Sequence, residues 1–421
     1  YGTIENLTIG LGAGDDSINT HSTSAATTIN AGSGDDTINV GSLAPALGGT
    51  VNDINGALTI NGQTGIDTMN VDDTGDTETN TGTLTATSLT GLGMQNGIVY
   101  GTIEDLNIGL GSGSDQFTIE STHAGTTLLN TDMGVDTVLV KTTSGATTIN
   151  TGDDVDTVSV RSIDGAMAVN AGSGDDMINV GSLAPAGNGT VNAINAALIL
   201  NAGTGTDTLN VDDTGDSQAN TGILTATTIT GLGMQDGITY GVFEHLSIGL
   251  GSGSDQFTIE STHAEATMLN SNAGDDTVNV LTTVGILTVN MGDDNDTTNI
   301  QSIDAAMTVN AGSDDDMINV GSLAPGTGGT VHDINAPLTV DGGAGTDTLN
   351  VDDSGDPDAE TLILTGTSIT GLGMQDAIDY GTIENLTIGL GAGDDSINTH
   401  STSAATTINA GSGDDTINVG S

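Results

Sequence analysis

The stretch Ala31-Gly32-Ser33-Gly34-Asp35-Asp36-Thr37-Ile38-Asn39-Val40 couples a glycine-rich turn ending in aspartate to a strand of alternating polar and apolar residues. Its cleanest copy, Gly342-Gly343-Ala344-Gly345-Thr346-Asp347-Thr348-Leu349-Asn350, reads GGxGxDxUx, with U a large apolar residue. Gly32 and Gly34 permit positive φ and close backbone approach, so main-chain carbonyls can converge on one spot where Asp36 adds a carboxylate. Carbonyl and carboxylate oxygens, without sulfur or imidazole, suit Ca²⁺ rather than zinc or copper. Thr37 and Asn39 then face one way and Ile38 and Val40 the other, the period-2 pattern of a half-buried strand.

With its aspartate as ruler, the turn recurs at Asp16, Asp36, Asp67, Asp115, Asp136, Asp156, Asp176, Asp207, Asp255, Asp276, Asp296, Asp316, Asp347, Asp395 and Asp415. The glycine pairs Gly12 and Gly14, Gly32 and Gly34, Gly172 and Gly174, Gly203 and Gly205, and Gly343 and Gly345 complete the best copies. Spacings of 20 or 21, 31 and 48 residues repeat within a larger period of 140, also marked by Tyr100, Tyr240 and Tyr380. Tyr1 precedes Tyr100 by only 99 residues, so the first unit is shorter.

These turns resemble the RTX or haemolysin-type calcium-binding repeats, whose nonapeptide builds parallel β-rolls with Ca²⁺ between successive turns. The resemblance implies an all-β, right-handed parallel β-solenoid. Family copies follow one another directly, whereas here about twenty residues separate them, so calcium is expected mainly along one edge.

Composition fits a narrow solenoid. The 421 residues include 64 Gly, no Cys or Trp, and only 2% aromatics, enough for a thin core. Strict alternation argues for strands rather than disorder. Two basic residues, Lys141 and Arg161, against 56 acidic ones give a charge of −54, which would self-repel without bound cations. Fifteen divalent ions, one at each of the fifteen turns and thirty charges in all, would bring −54 to −24. Nucleic acid and anionic membrane both need basic surface and are excluded as partners, and membrane insertion is not expected.

Each coil is expected to hold two strands and two turns. Residues 1–99 form a short unit of four coils, 100–239 and 240–379 form units of six, and 380–421, identical to 1–42, begin the next period of one continuous solenoid. The 48-residue intervals are read as holding an extra coil, carried by Leu84 to Thr90, Leu224 to Thr230 and Leu364 to Thr370. Neither end carries a polar cap, which reads as a segment of a longer array. Gly41 to Ala57 reads as an excursion loop.

A second acidic cluster, Asp72-Asp73-Thr74-Gly75-Asp76, recurs at Asp212, Asp213 and Asp216 and at Asp352, Asp353 and Asp356. It is either a solvated turn or a further cation site, with Asp72, Asp212 and Asp352 as candidate ligands. Asn39, Asn70, Asn179, Asn210, Asn279, Asn319 and Asn350 share one outward strand position and should stack as a ladder. Thr28, Thr59, Thr148, Thr288, Thr308 and Thr339 form an outward row that Leu128, Ala168, Ile199 and Met268 interrupt. Gln63 replaces a glycine of its turn; Asp154, Asp294 and Asp314 replace the second glycine, which predicts distorted turns there or an added carboxylate ligand. The six histidines show no metal-type or triad spacing, and carboxylate pairs are repeated rather than singular, so no enzyme is expected.

The expected function is a calcium-stabilised structural element of the cell surface or exterior: a filament shaft, matrix fibre or adhesin stalk. Its partners would be further copies, joined end to end or laterally, or the rest of a longer array. The alternative is a binding module for ice or surface glycans.

Overall fold

The computed structural model describes residues 5–420; the marker Tyr1 lies outside them. Thirty-nine strands and no helix occur among these residues, in two sheets of 21 and 18 strands. The chain divides into two compact units. One holds the chain up to Ala186 with Val191–Asn210 and Met234–Phe243; the other holds Gly187–Thr190, Val211–Gly233 and the chain from Glu244 on.

Within each unit successive coils pair in parallel and in register, as alternation requires of a two-sheet solenoid. Ile38 stands opposite Ile18 and Met69 in the neighbouring coils, and Asn39 opposite Asn19 and Asn70. In the second unit Ile318 stands between Thr298 and Leu349. The inward residues expected from the pattern are buried, including Ile29, Ile38, Val40, Phe117, Val169, Leu349 and Val351. The structure is a parallel β-solenoid with a core one side-chain layer deep per sheet.

The extra coil is not there. Thr81–Thr85 and Ser88–Gly91 form an antiparallel hairpin, and Ser88–Gly91 pairs antiparallel with Ile98–Gly101. Thr361–Leu364, Ser368–Gly371 and Ile378–Gly381 repeat this in the second unit. The chain reverses first at Ala86-Thr87 and again after Gly91-Leu92-Gly93, all three at positive φ, so it stays in one sheet instead of crossing to the other. Tyr100 and Tyr380, the period markers, close the hairpins: each hydroxyl donates to the carbonyl of Thr85 or Thr365 at 2.6 Å.

The hairpin also corrects the single edge. Asp105–Gly109, which precedes a glycine-aspartate turn, pairs with Thr68–Asp72, which follows one. In the first unit the turns of Asp115, Asp136, Asp156 and Asp176 therefore lie on the edge opposite those of Asp16, Asp36 and Asp67. Asn385–Gly389 pairs with Thr348–Asp352 likewise, so Asp395 begins a new row in the second unit. Within each unit the rows change edge at the hairpin.

Candidate metal-binding rows

Every glycine-aspartate turn ends in the same contact. The backbone N–H of Asp16 donates to Oδ1 of Asp36 at 2.8 Å, and that of Asp36 donates to Oδ1 of Asp67 at 2.9 Å. The row stops at Glu104, whose Oε2 accepts from Asp67 N–H. On the other edge Asn80 N–H opens a row through Asp115, Asp136, Asp156, Asp176 and Asp207, with donor distances of 2.7 to 2.8 Å. In the second unit Asn220 N–H opens the row Asp255, Asp276, Asp296, Asp316 and Asp347, which ends at Glu384. Asp395 and Asp415 begin another.

The glycines allow coils to stack this tightly. A Cβ on Gly32 would lie 1.9 Å from the carbonyl oxygen of Gly12, and Gly32 itself sits at φ +117°. Asp154, Asp294 and Asp314 hold the same left-handed backbone at φ 84°, 78° and 79°, and Gln63 does so at 79°. These turns keep their shape instead of distorting, at a cost of roughly 1–2 kcal/mol each. Oδ2 of Asp154 and Asp294 accepts from Gly134 and Gly274 N–H in the preceding coil.

What makes the rows a candidate site is the other oxygen. Oδ2 of Asp16, Asp36, Asp67, Asp136, Asp156, Asp176, Asp276, Asp296, Asp316, Asp347 and Asp395 is buried with no hydrogen-bond partner. A buried charged oxygen without a partner is costly. Burial pushes Asp136 and Asp316 up to about 6, Asp156 and Asp276 to about 7, and Asp296 to about 8, with the neighbouring row aspartates adding to the rise. Backbone N–H donors oppose it, as do the hydroxyls of Thr131, Thr151 and Ser271 beside Asp136, Asp156 and Asp276. A proton or a cation on these oxygens would relieve that cost, and the oxygen-only donor set fits a hard divalent cation such as Ca²⁺.

A parallel row at the preceding position was not singled out in the sequence. Asp35 N–H donates to Oδ1 of Asp15, and Ile66 N–H to Oδ1 of Asp35; Asp175, Asp275, Asp315 and Asp394 act alike. The doubled Asp-Asp of the turn was the available signal. These carboxylates are exposed and reach toward the following coil, whereas the buried row reaches back.

The second acidic cluster clamps the excursion loop. Gly49 N–H donates to Oδ2 of Asp72 at 2.7 Å, Val51 N–H to Oδ1 of Asp73 at 2.9 Å, and Asn52 Nδ2 to Oδ2 of Asp76 at 3.0 Å. The Thr74 hydroxyl takes Oδ1 of Asp72. Asp212 and Asp352 hold Gly189 and Gly329 in the same way. Asp73 and Asp353, raised to about 7 mainly by burial, keep a bare buried Oδ2. The free oxygen thus belongs to the second aspartate of the cluster, not to the expected first.

Many of the other polar side chains pair along the stack. Asparagine Nδ2-to-Oδ1 ladders run through Asn19, Asn39, Asn70 and Asn107 and through Asn279, Asn299, Asn319 and Asn350. A second ladder through Asn130, Asn150, Asn170 and Asn201 was not foreseen. Arg161 donates from Nε to the Ala184 carbonyl, as Gln301 does to Ala324, and the His21 ring bonds Ala44. Lys141 pairs with Glu120 at 2.6 Å, both side chains 41% exposed.

No protein-family model and no curated protein matches the chain. A solved hyperactive, Ca²⁺-dependent, β-helical antifreeze protein from an Antarctic bacterium is similar over 80% of this chain and 83% of its own, at 18% identity and a TM-score of 0.23. A superposition that poor carries no argument about site or function.

Proposed function

We propose that the chain is a calcium-loaded structural solenoid, a length of an extracellular fibre, filament shaft or adhesin stalk built from a longer array. The observation that supports this best is the set of rows in which eleven buried aspartate oxygens, among the described residues, have no hydrogen-bond partner, in a chain of net charge −54. Calcium would be held by the row aspartates, with turn carbonyls as further donors, and supplies the positive charge that the rows lack. Folding would then be coupled to binding, so that the chain orders where calcium is abundant. Leu43 and Leu323, both 55% exposed on excursion loops, are candidate lateral contacts between copies. Catalysis is no part of this reading, because the carboxylates recur in equivalent settings.

Far-ultraviolet circular dichroism of the whole chain, stripped of metal and titrated with calcium, tests it. A cooperative rise in β signal supports the proposal; a β spectrum indifferent to chelation at neutral pH overturns it. Ice binding, the alternative, would need a regular flat array, and the threonine row is broken where Leu128 pairs with Thr148 and Ala168 with Ile199.

A further inference from the structure

Three internal copies of the excursion loop differ at one place in a way that changes its chemistry. In the first copy Oδ2 of Asp76 accepts from the Asn52 amide, and the Asn80 amide also supports it. In the second, Asn220 Nδ2 donates to Oδ2 of Asp216 at 3.1 Å. In the third copy both asparagines are replaced together: His332 stands where Asn52 does, and Glu360 where Asn80 does. His332 Nε2 lies 2.8 Å from Oδ2 of Asp356, and ligand-type atoms of His332, Asp356 and Glu360 all fall within 4.8 Å of one another.

Exchanging an amide donor for a carboxylate beside a buried carboxylate is unfavourable unless a positive charge joins them, which either the imidazolium form of His332 or a metal ion would supply. Asp356 is 2% exposed, and its Oδ1 is already committed to Asp358 N–H. Asp353, 1% exposed, keeps a bare Oδ2 as Asp73 does in the first copy, so what sets the third copy apart is the paired replacement and the convergence of the three ligand atoms. The imidazole packs on Gly373, where a Cβ would come within 2.3 Å of its Cδ2, just as Asn52 packs on Gly93 in the first copy. The His332 side chain is 40% exposed, which leaves a path for an ion.

We infer that His332, Asp356 and Glu360 form a site for a borderline divalent transition ion of the zinc type, separate from the oxygen-only rows. One imidazole with two carboxylates is a donor set that selects zinc, cobalt or nickel over calcium, and three protein ligands leave a coordination position open. Tetrahedral ligands around zinc sit about 3.4 Å apart, so closing on an ion needs small side-chain rotations. The other two copies, with asparagine at both places, lack the site.

The test uses the full chain in millimolar calcium, which keeps it independent of whether the rows drive folding. Zinc binding is measured by equilibrium dialysis, and cobalt binding by its visible spectrum. One tight zinc per chain is expected, with a four-coordinate cobalt spectrum showing nitrogen ligation. His332→Asn restores the residue of the sister copies and should fold with an unchanged β spectrum, while zinc affinity falls by at least about 100-fold. Glu360→Asn should weaken zinc by at least about 10-fold. No stoichiometric zinc binding in the parent, or affinity unchanged in His332→Asn or in Glu360→Asn, overturns the inference.

Discussion

Asp36 lends one carboxylate oxygen to the amide of Asp16, 2.8 Å away in the preceding coil, and holds its other oxygen buried without a partner. The same division of labour at each coil makes protons and calcium competitors for one line of oxygens. Stability should therefore depend on pH in opposite senses with and without metal.

Without metal, burial holds the folded-state pKa of Asp156 and Asp276 at about 7 and of Asp296 at about 8, above the ordinary 3.8. The folded chain then holds more protons than the unfolded one between those values. The contribution of these groups to stability is fully present below about pH 4 and is lost as pH rises through 7 to 8. Calcium reverses the slope, because the ion needs the carboxylates ionised. Calorimetry at pH 4.5 and 7.5 should show the melting temperature falling with pH in chelator and rising with pH in calcium; parallel slopes refute the competition.

Asp156→Asn isolates one rung. The amide oxygen still accepts from Asp136 N–H, but the buried charge is gone. In chelator at pH 7.5 the variant should be more stable than the parent by about 1–3 kcal/mol, and in calcium less stable. Urea melts in the two buffers check the change of sign.

The hairpin makes a packing prediction. Gly82 lies against Phe117, and a Cβ there would come 2.4 Å from the ring, whereas the corresponding pair in the third copy is Leu362 against Ile397. Gly82→Leu alone should cost about 1–3 kcal/mol by overpacking. The double variant Gly82→Leu with Phe117→Ile should recover most of it. A double-mutant cycle with a coupling energy of about 1 kcal/mol or more is expected; additive costs would count against this account.

Gln63 holds a left-handed backbone where the other copies of the turn place Gly203 and Gly343. Gln63→Gly relieves that strain and should stabilise the chain by about 1 kcal/mol, read as a raised urea midpoint at unchanged slope.

Turn chemistry and strand alternation were local, so the solenoid, the inward residues and the aspartate rows were legible from the chain. The hairpin was not, because Leu84 to Thr90 alternates equally well as a parallel strand or as an antiparallel one. The deciding signal was the repeated Thr-Gly-Leu-Gly at residues 90–93, 230–233 and 370–373, a reversal rather than a crossing. The change of edge followed from that miss. His332 escaped notice because Asp356 and Glu360 lie 24 and 28 residues away, and stacking alone joins them.

The backward reach of the buried aspartates gives the stack a direction. An amide such as that of Asp16 is satisfied only once the following coil has arrived, so a chain laid down from its amino end finishes each coil with the next. At the growing end one amide per row stays open, and the fold closes like a zipper whose slider is always the newest coil.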